Sequence, residues 1–270
     1  VTRTITVPIL QDGVGNTSPF YFTVALSGIT PVGATAGTPL TAQVNIVDAQ
    51  SFNQPAGSVD PAFDPAGGFN ADVYSVAMQP NGSFVAGGAF TTVNGLPRNR
   101  LARIFTNGNE DTSFMPGLSG ANDTIRAVYG LSDTRLVVGG YFTLFNGINR
   151  NRLTRLNTDG TIDQTFDPGS GADSTVFALG EGWVTIGTNT FRKIYVGGSF
   201  TTFDGVHRPG LVRLNDDGKV DQNFGQSTGV DGPVYAIAVY PTNAIHAGKV
   251  VIGGAFTSVN GVPRSNIARL

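Results

Sequence analysis

Cysteine is absent from the 270 residues, which excludes disulfide staples and thiol chemistry but not an extracellular location. Charge is scarce: charged residues make up 13% of the chain, about half the usual ~25%. The net charge of −2 gives no electrostatic case for nucleic acid or an anionic membrane surface. No apolar run approaches the ~20 residues of a membrane-spanning helix. No segment keeps a helical period over three turns. Residues 1–10 alternate like a strand and lack the apolar core of a signal peptide. A start in mid-strand is what a mature or excised piece of something longer would show. Histidine and glutamate occur twice each, at His207, His246, Glu110 and Glu181, and none stands in a motif with a nucleophile, base or ligand partner.

What the chain does have is repetition. GGAFTTVNGLPRNRLAR begins at Gly87, and related phrases begin at Gly139, Gly197 and Gly253. The phenylalanines Phe90, Phe142, Phe200 and Phe256 are 52, 58 and 56 residues apart. A second phrase, Asp-x-x-Phe, keeps step at Asp60, Asp111, Asp163 and Asp221. A period near ~50 marks a blade or solenoid architecture, and residues present in every copy are most simply explained by folding.

Between Asp111 and Phe166 the pattern reads as three strands and a shorter fourth, which matches a four-stranded propeller blade. Asn146-Gly147 favours a type I′ turn with φ > 0 at both central residues. The glycine pairs Gly87-Gly88, Gly139-Gly140, Gly197-Gly198 and Gly253-Gly254 predict close approach of another backbone or side chain, with their strands innermost at a crowded axis. Phe90 and its equivalents are expected between blades, and Phe63, Phe114, Phe166 and Phe224 near the outer edge. The fold class is therefore all-β: four propeller repeats over residues 57–270, a linker at 51–56, and a partial β-sandwich over residues 1–50.

GGxFT, the Asn-Gly turn, R-x-x-L-x-R, the Asp-Gly turn and D-x-x-F, recurring in this order, resemble the delta-60 repeat, a β-propeller repeat of bacterial secreted and surface proteins. The resemblance implies an extracellular repeat module and carries no catalytic residues. Residues 1–50 offer three strands, at 2–10, 19–27 and 40–48, and resemble the second half of a Calx-β domain through VPILQD, FYFTVALS and LTAQVNIVD. That family places acidic residues where this chain has Gly15, Asn16 and Thr17, which puts calcium binding there in question.

The segments 157–163 and 215–221 are similar to calcium loops, but the glycine comes fourth where an EF-hand has it sixth, and no Glu closes the loop. Hairpin turns are the favoured reading. Arg98, Arg150, Arg208 and Arg264 recur, as do Arg103, Arg155, Arg213 and Arg269. They could ring an anionic glycan, or each could bond a carboxylate or carbonyl inside its blade; the matching Asp repeat favours the second. The distance from Val73 to Gly87 and from Ile125 to Gly139 is 14 residues, but it is 21 from Val176 to Gly197 and 19 from Val234 to Gly253. The extra residues, near 181–190 and 240–248, should project from one face, where recognition usually lives.

These observations lead to a non-enzymatic structural or adhesive component of a bacterial cell-surface or extracellular assembly. It would act through protein–protein contacts and self-association, or through neighbouring domains of a longer chain. No catalytic residue, metal site or cofactor is expected. A glycan-binding propeller is the alternative, and a propeller glycosidase or lyase is a third reading.

Overall fold

The computed structural model describes residues 20–25, 41–46, 57–60, 62–225 and 229–270. The chain divides into two compact units, Val1–Asp64 and Pro65–Leu270. In the first, β1 (Phe20–Ala25) pairs antiparallel with β2 (Thr41–Ile46), Phe20 opposite Ile46. Both fall inside expected strands; the strand expected at residues 2–10 and the linker at 51–56 lie outside the described residues.

The second unit is all-β, four copies of one small sheet. The first blade holds β3 (Val73–Met78), β4 (Phe84–Gly88) and β7 (Leu101–Ile104), with a separate hairpin of β5 (Thr92–Val93) and β6 (Leu96–Pro97). The second repeats this with β8 (Ile125–Gly130), β9 (Leu136–Gly140) and β12 (Leu153–Leu156), and the hairpin β10 (Leu144–Phe145)–β11 (Ile148–Asn149). The third has β13 (Val176–Ile186), β14 (Asn189–Gly198) and β17 (Leu211–Asn215), and the hairpin β15 (Thr202–Phe203)–β16 (Val206–His207). The fourth has β18 (Val234–Val239), β19 (Val250–Gly254) and β22 (Ile267–Arg269), and the hairpin β20 (Ser258–Val259)–β21 (Val262–Pro263). The expected short fourth strand is reduced to single bridges, Ile104 with Glu110, Leu156 with Ile162 and Leu214 with Val220.

The Asn-Gly phrase closes the small hairpin rather than linking two blade strands. Asn94 and Gly95 have φ of 50° and 77°, and Asn146-Gly147, Asp204-Gly205 and Asn260-Gly261 repeat that pair of positive angles. These are the left-handed conformations a type I′ turn requires and an Asn-Gly or Asp-Gly pair tolerates.

The placement of the Gly-Gly strands corrects the sequence reading. They are the middle strands, β4, β9, β14 and β19, flanked on both sides. The first strands β3, β8, β13 and β18 lie against one another from blade to blade and are the inner ones. The second glycine is required by its own blade. A Cβ on Gly88, Gly140, Gly198 or Gly254 would come within 2.0–2.3 Å of the carbonyl oxygen of Asp72, Thr124, Thr175 or Pro233. Those carbonyls accept hydrogen bonds from the N–H that follows each glycine pair, at 2.8–3.0 Å. The first glycine is required by the neighbouring blade: a Cβ on Gly139 would stand 2.4 Å from Val176 Cγ1.

Among the described residues the hydrophobic core forms three clusters, one at each junction between successive blades. The junction of the first and second blades brings Val85 and Leu101 against Ile125, Val128 and Phe142. Burying each such side chain contributes about 1.5–3 kcal/mol. Phe90, Phe142, Phe200 and Phe256 are all buried, as are Phe114 and Phe166, while Phe224 is partly buried against the third cluster.

Candidate functional site

Most of the recurring polar residues are consumed by the blades. In each Asp-x-x-Phe phrase the Asp builds the same turn. The Asp111 carboxylate accepts from Ser113 N at 2.9 Å and its carbonyl from Phe114 N at 3.2 Å. Asp163 and Asp221 repeat this with Thr165 and Phe166, and with Asn223 and Phe224; Asp60 does so in the first unit with Ala62 and Phe63. One arginine series pairs with that Asp: Arg103 Nε to Asp111 at 2.7 Å, Arg155 Nε to Asp163 at 2.8 Å, Arg213 Nε to Asp221 at 2.9 Å. The other series, Arg98, Arg150, Arg208 and Arg264, donates to the carbonyl of the residue just before it, at 2.7–3.0 Å. The Asp-Gly turns are contacts between blades: Met115 N donates to Asp159 O at 2.9 Å, and Asp167 N to Asp217 O at 2.8 Å. The side chain of Asp159 is occupied by Thr161 N and Oγ1, at 2.9 and 2.7 Å. Among the described residues no three His, Asp or Glu side chains group as a metal site. Glu110 pairs with Arg98, and burial still pushes its carboxyl up against that partner. Glu181, two blades away, accepts from Ser132 N and Oγ at 3.0 and 2.8 Å and forms an ion pair with Arg192.

Where the long β13–β14 hairpin meets the β8–β9 turn and the end of β17 lies a cleft of about 720 Å³. Its wall is a chain of alternating charge. Arg135 bonds Asp133 and Asp163 at 2.6 and 2.7 Å, Arg155 bonds Asp163 and Asp216 at 2.8 Å each, and Arg192 bonds Glu181 at 2.9 Å and also Asp133. Trp183 lies beneath the Arg192 guanidinium, 5.3 Å from it. Burial tends to raise Asp133, but hydrogen bonds from Arg135 and Arg192 outweigh it and hold the carboxyl down at about 2. Sequence reasoning placed an insertion here but missed the network: Arg192 belongs to no repeat, while Arg135 and Lys193 hold one repeat position, four residues before the first glycine of the pair, and reach Asp163 and Asp221 at 2.7 and 2.8 Å. The other insertion, residues 240–249, is a run of turns; its Gly248 lies beside the Trp183 carbonyl.

The inner strands carry a second feature that sequence reasoning missed. Each first strand slips its register by one residue opposite the Gly-Gly pair, between Val73 and Ser75, Ile125 and Ala127, Val176 and Ala178, Val234 and Ala236. The extra residues are Tyr74, Arg126, Phe177 and Tyr235. A bulge re-aims the side chain it carries, and these four form a ladder across the blades. The Arg126 guanidinium lies 4.0 Å from the Tyr74 ring and 5.8 Å from that of Phe177. Phe177 meets Tyr235 edge-on at 5.2 Å and Tyr141 at 6.3 Å. Tyr74, Tyr141 and Tyr235 are exposed. Tyr74 donates to Asp72 at 3.0 Å, which holds its hydroxyl above the usual range. The signal that could have found the ladder is a large aromatic or Arg at one fixed place, two residues into a strand of otherwise small and branched residues.

Four stretches, residues 79–114, 131–166, 192–224 and 248–270, match the model of a β-propeller domain of unknown function, DUF5122. No curated protein sequence matches the chain. Two crystal structures of the extracellular domain of BT4673 from B. thetaiotaomicron, described in one case as a one-component and in the other as a hybrid two-component system, are similar at 15% identity. The match has a TM-score of 0.39 and covers 75% of this chain and 22% of theirs, so the chain spans about a fifth of their length.

Proposed function

We propose that the chain is a non-catalytic adhesive module of a bacterial extracellular or cell-surface assembly, and that it recognises carbohydrate on the ladder of Tyr74, Arg126, Phe177 and Tyr235. The observation that carries this is the ladder itself. Four residues that the hydrogen-bond register does not use present aromatic faces and a guanidinium along one line of a rigid scaffold. Aromatic rings with polar tips suit the apolar faces and hydroxyl rims of sugars. All the arginines of the repeat but Arg269 are already bonded within or between blades, which weighs against an anionic glycan held by an arginine ring. Extracellular placement is supported by the resemblance of the repeats to delta-60 repeats. The glycosidase or lyase reading finds no support in the glutamates, since the two stand in different blades and each is tied to a guanidinium of its own blade.

The test is binding of the purified chain to a panel of neutral oligosaccharides, with Tyr235→Ser and Tyr74→Ser as variants. Each is expected to weaken binding by about tenfold. No carbohydrate bound, or variants that bind as tightly as the parent chain, would overturn the reading.

A further inference from the structure

One repeat position changes its chemistry between the second and third blades. Four residues before the first glycine of each pair stand Ser83, Arg135, Lys193 and Lys249. Arg135 shares Asp163 with Arg155, at 2.7 and 2.8 Å. Lys193 shares Asp221 with Arg213, at 2.8 and 2.9 Å. The ion pair is kept, but the cation is of another kind. A guanidinium stays protonated and does not attack carbon, whereas an amine is a nucleophile once it gives up its proton. Of the three lysines, Lys193 is the buried one, 7% exposed, while Lys219 and Lys249 face solvent.

The residue opposite changes with it. Lys193 faces Asn215 across the β14–β17 register. The matching residue of the second blade, Asn157, uses its side chain in its own turn, Nδ2 donating to Thr161 Oγ1 at 2.9 Å. In the third blade Lys219 stands in place of Thr161 and reaches Asp167 instead, at 2.6 Å. The Asn215 side chain turns to Lys193, whose Nζ donates to Asn215 Oδ1 at 2.5 Å. Amine, amide and carboxylate therefore meet at one point, and Asp221 is 3% exposed. Burial raises the Asp221 carboxyl, but Lys193, Asn223 N and Arg213 outweigh it, so the resting pair is ammonium and carboxylate. Lys193 and Asn215 both line the cleft, which gives a small molecule released between them a way out.

We infer that Lys193 and Asn215 join through their side chains in an amide bond that the chain forms by itself, with Asp221 carrying the protons. The ammonium passes a proton to Asp221 Oδ2 along their hydrogen bond. The freed amine attacks Asn215 Cγ, a C–N bond forms, and the carbonyl π pair moves onto Oδ1. Asp221 hands its proton to Nδ2 and takes a second one from Nζ. The Cγ–Nδ2 bond then breaks as the Oδ1 pair returns, and ammonia leaves through the cleft, taking the last proton with it as ammonium. In sum an ammonium side chain and a primary amide become a secondary amide and one ammonium ion, and no oxidant or reductant is consumed. The bond ties β14 to β17 in the blade that carries the long hairpin, a covalent staple in a chain without cysteine. It uses none of the residues of the carbohydrate reading and stands or falls without it.

The test is the intact mass of the purified, folded chain, read at once and after prolonged warm incubation, followed by a tryptic digest. The chain is expected to be lighter than its sequence by one ammonia, about 17 Da. The digest should yield one branched peptide that joins the segments around Lys193 and Asn215. Lys193→Arg keeps the cation that the second blade holds at this place and should show the full sequence mass. Asp221→Asn should also show the full mass, with Asn215→Ser as the second variant should Asp221→Asn not fold. A parent chain that keeps its full sequence mass after incubation overturns the inference. A loss of ammonia that persists in Lys193→Arg overturns it equally, since an Asn-Gly pair also loses ammonia by closing on its own backbone.

Discussion

Leu153 in the second blade and Ile267 in the fourth occupy the same place in the same phrase, each opposite the first glycine of its pair. Leu153 has no exposed surface and Ile267 keeps most of its own. Arg155 and Arg269 differ in the same way: one is buried between two carboxylates, the other faces solvent. The contrast teaches that a repeat of this kind is not stable by itself. Its apolar residues become core only when a neighbour arrives, so stability resides in the junctions, as in other one-dimensional arrays.

Paired substitutions can break that comparison, each measured by urea denaturation of dilute monomer. The largest contrast is expected at the arginines. Arg155→Met leaves Asp163 buried without a main partner and should cost about 3–5 kcal/mol, while Arg269→Met should stay within about 0.5 kcal/mol. Leu153→Ala should cost about 2–5 kcal/mol, against about 0.5 kcal/mol for Ile267→Ala. Equal losses at the two positions would mean that the fourth blade is covered as the second is. Gly139→Ala pushes a methyl into Val176 and should cost about 1–3 kcal/mol; Gly253→Ala, whose methyl meets only ordinary contacts with Ala236 and Asn266 at 3.7 and 3.8 Å, should be close to neutral.

The smallest effect is on acid stability. Burial raises the Asp163 carboxyl, but hydrogen bonds from Thr165, Arg135 and Arg155 outweigh it and hold the group well below the usual carboxylate range. Asp133 is likewise held at about 2. Both are depressed relative to an unfolded value of about 3.9. Their contribution is therefore complete above that pH and is lost as pH falls through the folded values. Melting temperature should decline below about pH 4, and Asp163→Asn should flatten the decline. An unchanged acid limb in that variant would assign it to other carboxylates.

Much of this was legible in the sequence, and the reasons are local. The Asn-Gly turns, the pairing of Arg103, Arg155 and Arg213 with the repeated Asp, and the crowding at each glycine pair follow from short-range geometry that a phrase of fifteen or so residues contains. The order of strands across the sheet does not. Residues 125–130 and 136–140 are both apolar runs, and nothing local says which lies inner; the glycines mark close approach, which a middle strand meets from a neighbouring blade as readily as an inner strand meets at an axis. The contact of Arg192 with Asp133 was illegible for the opposite reason, since neither residue repeats and they lie 59 positions apart.

The bulge opposite each glycine pair has a consequence for how such a protein can change. A residue in register is answerable to two partners, one across the ladder and one in the neighbouring blade, and its identity is confined accordingly. Tyr74, Arg126, Phe177 and Tyr235 are excused from the first of these obligations. Four copies of one frame thus hold four open letters, already spelled as tyrosine, arginine, phenylalanine and tyrosine, and a lineage could respell them one at a time while the sentence around them stays grammatical.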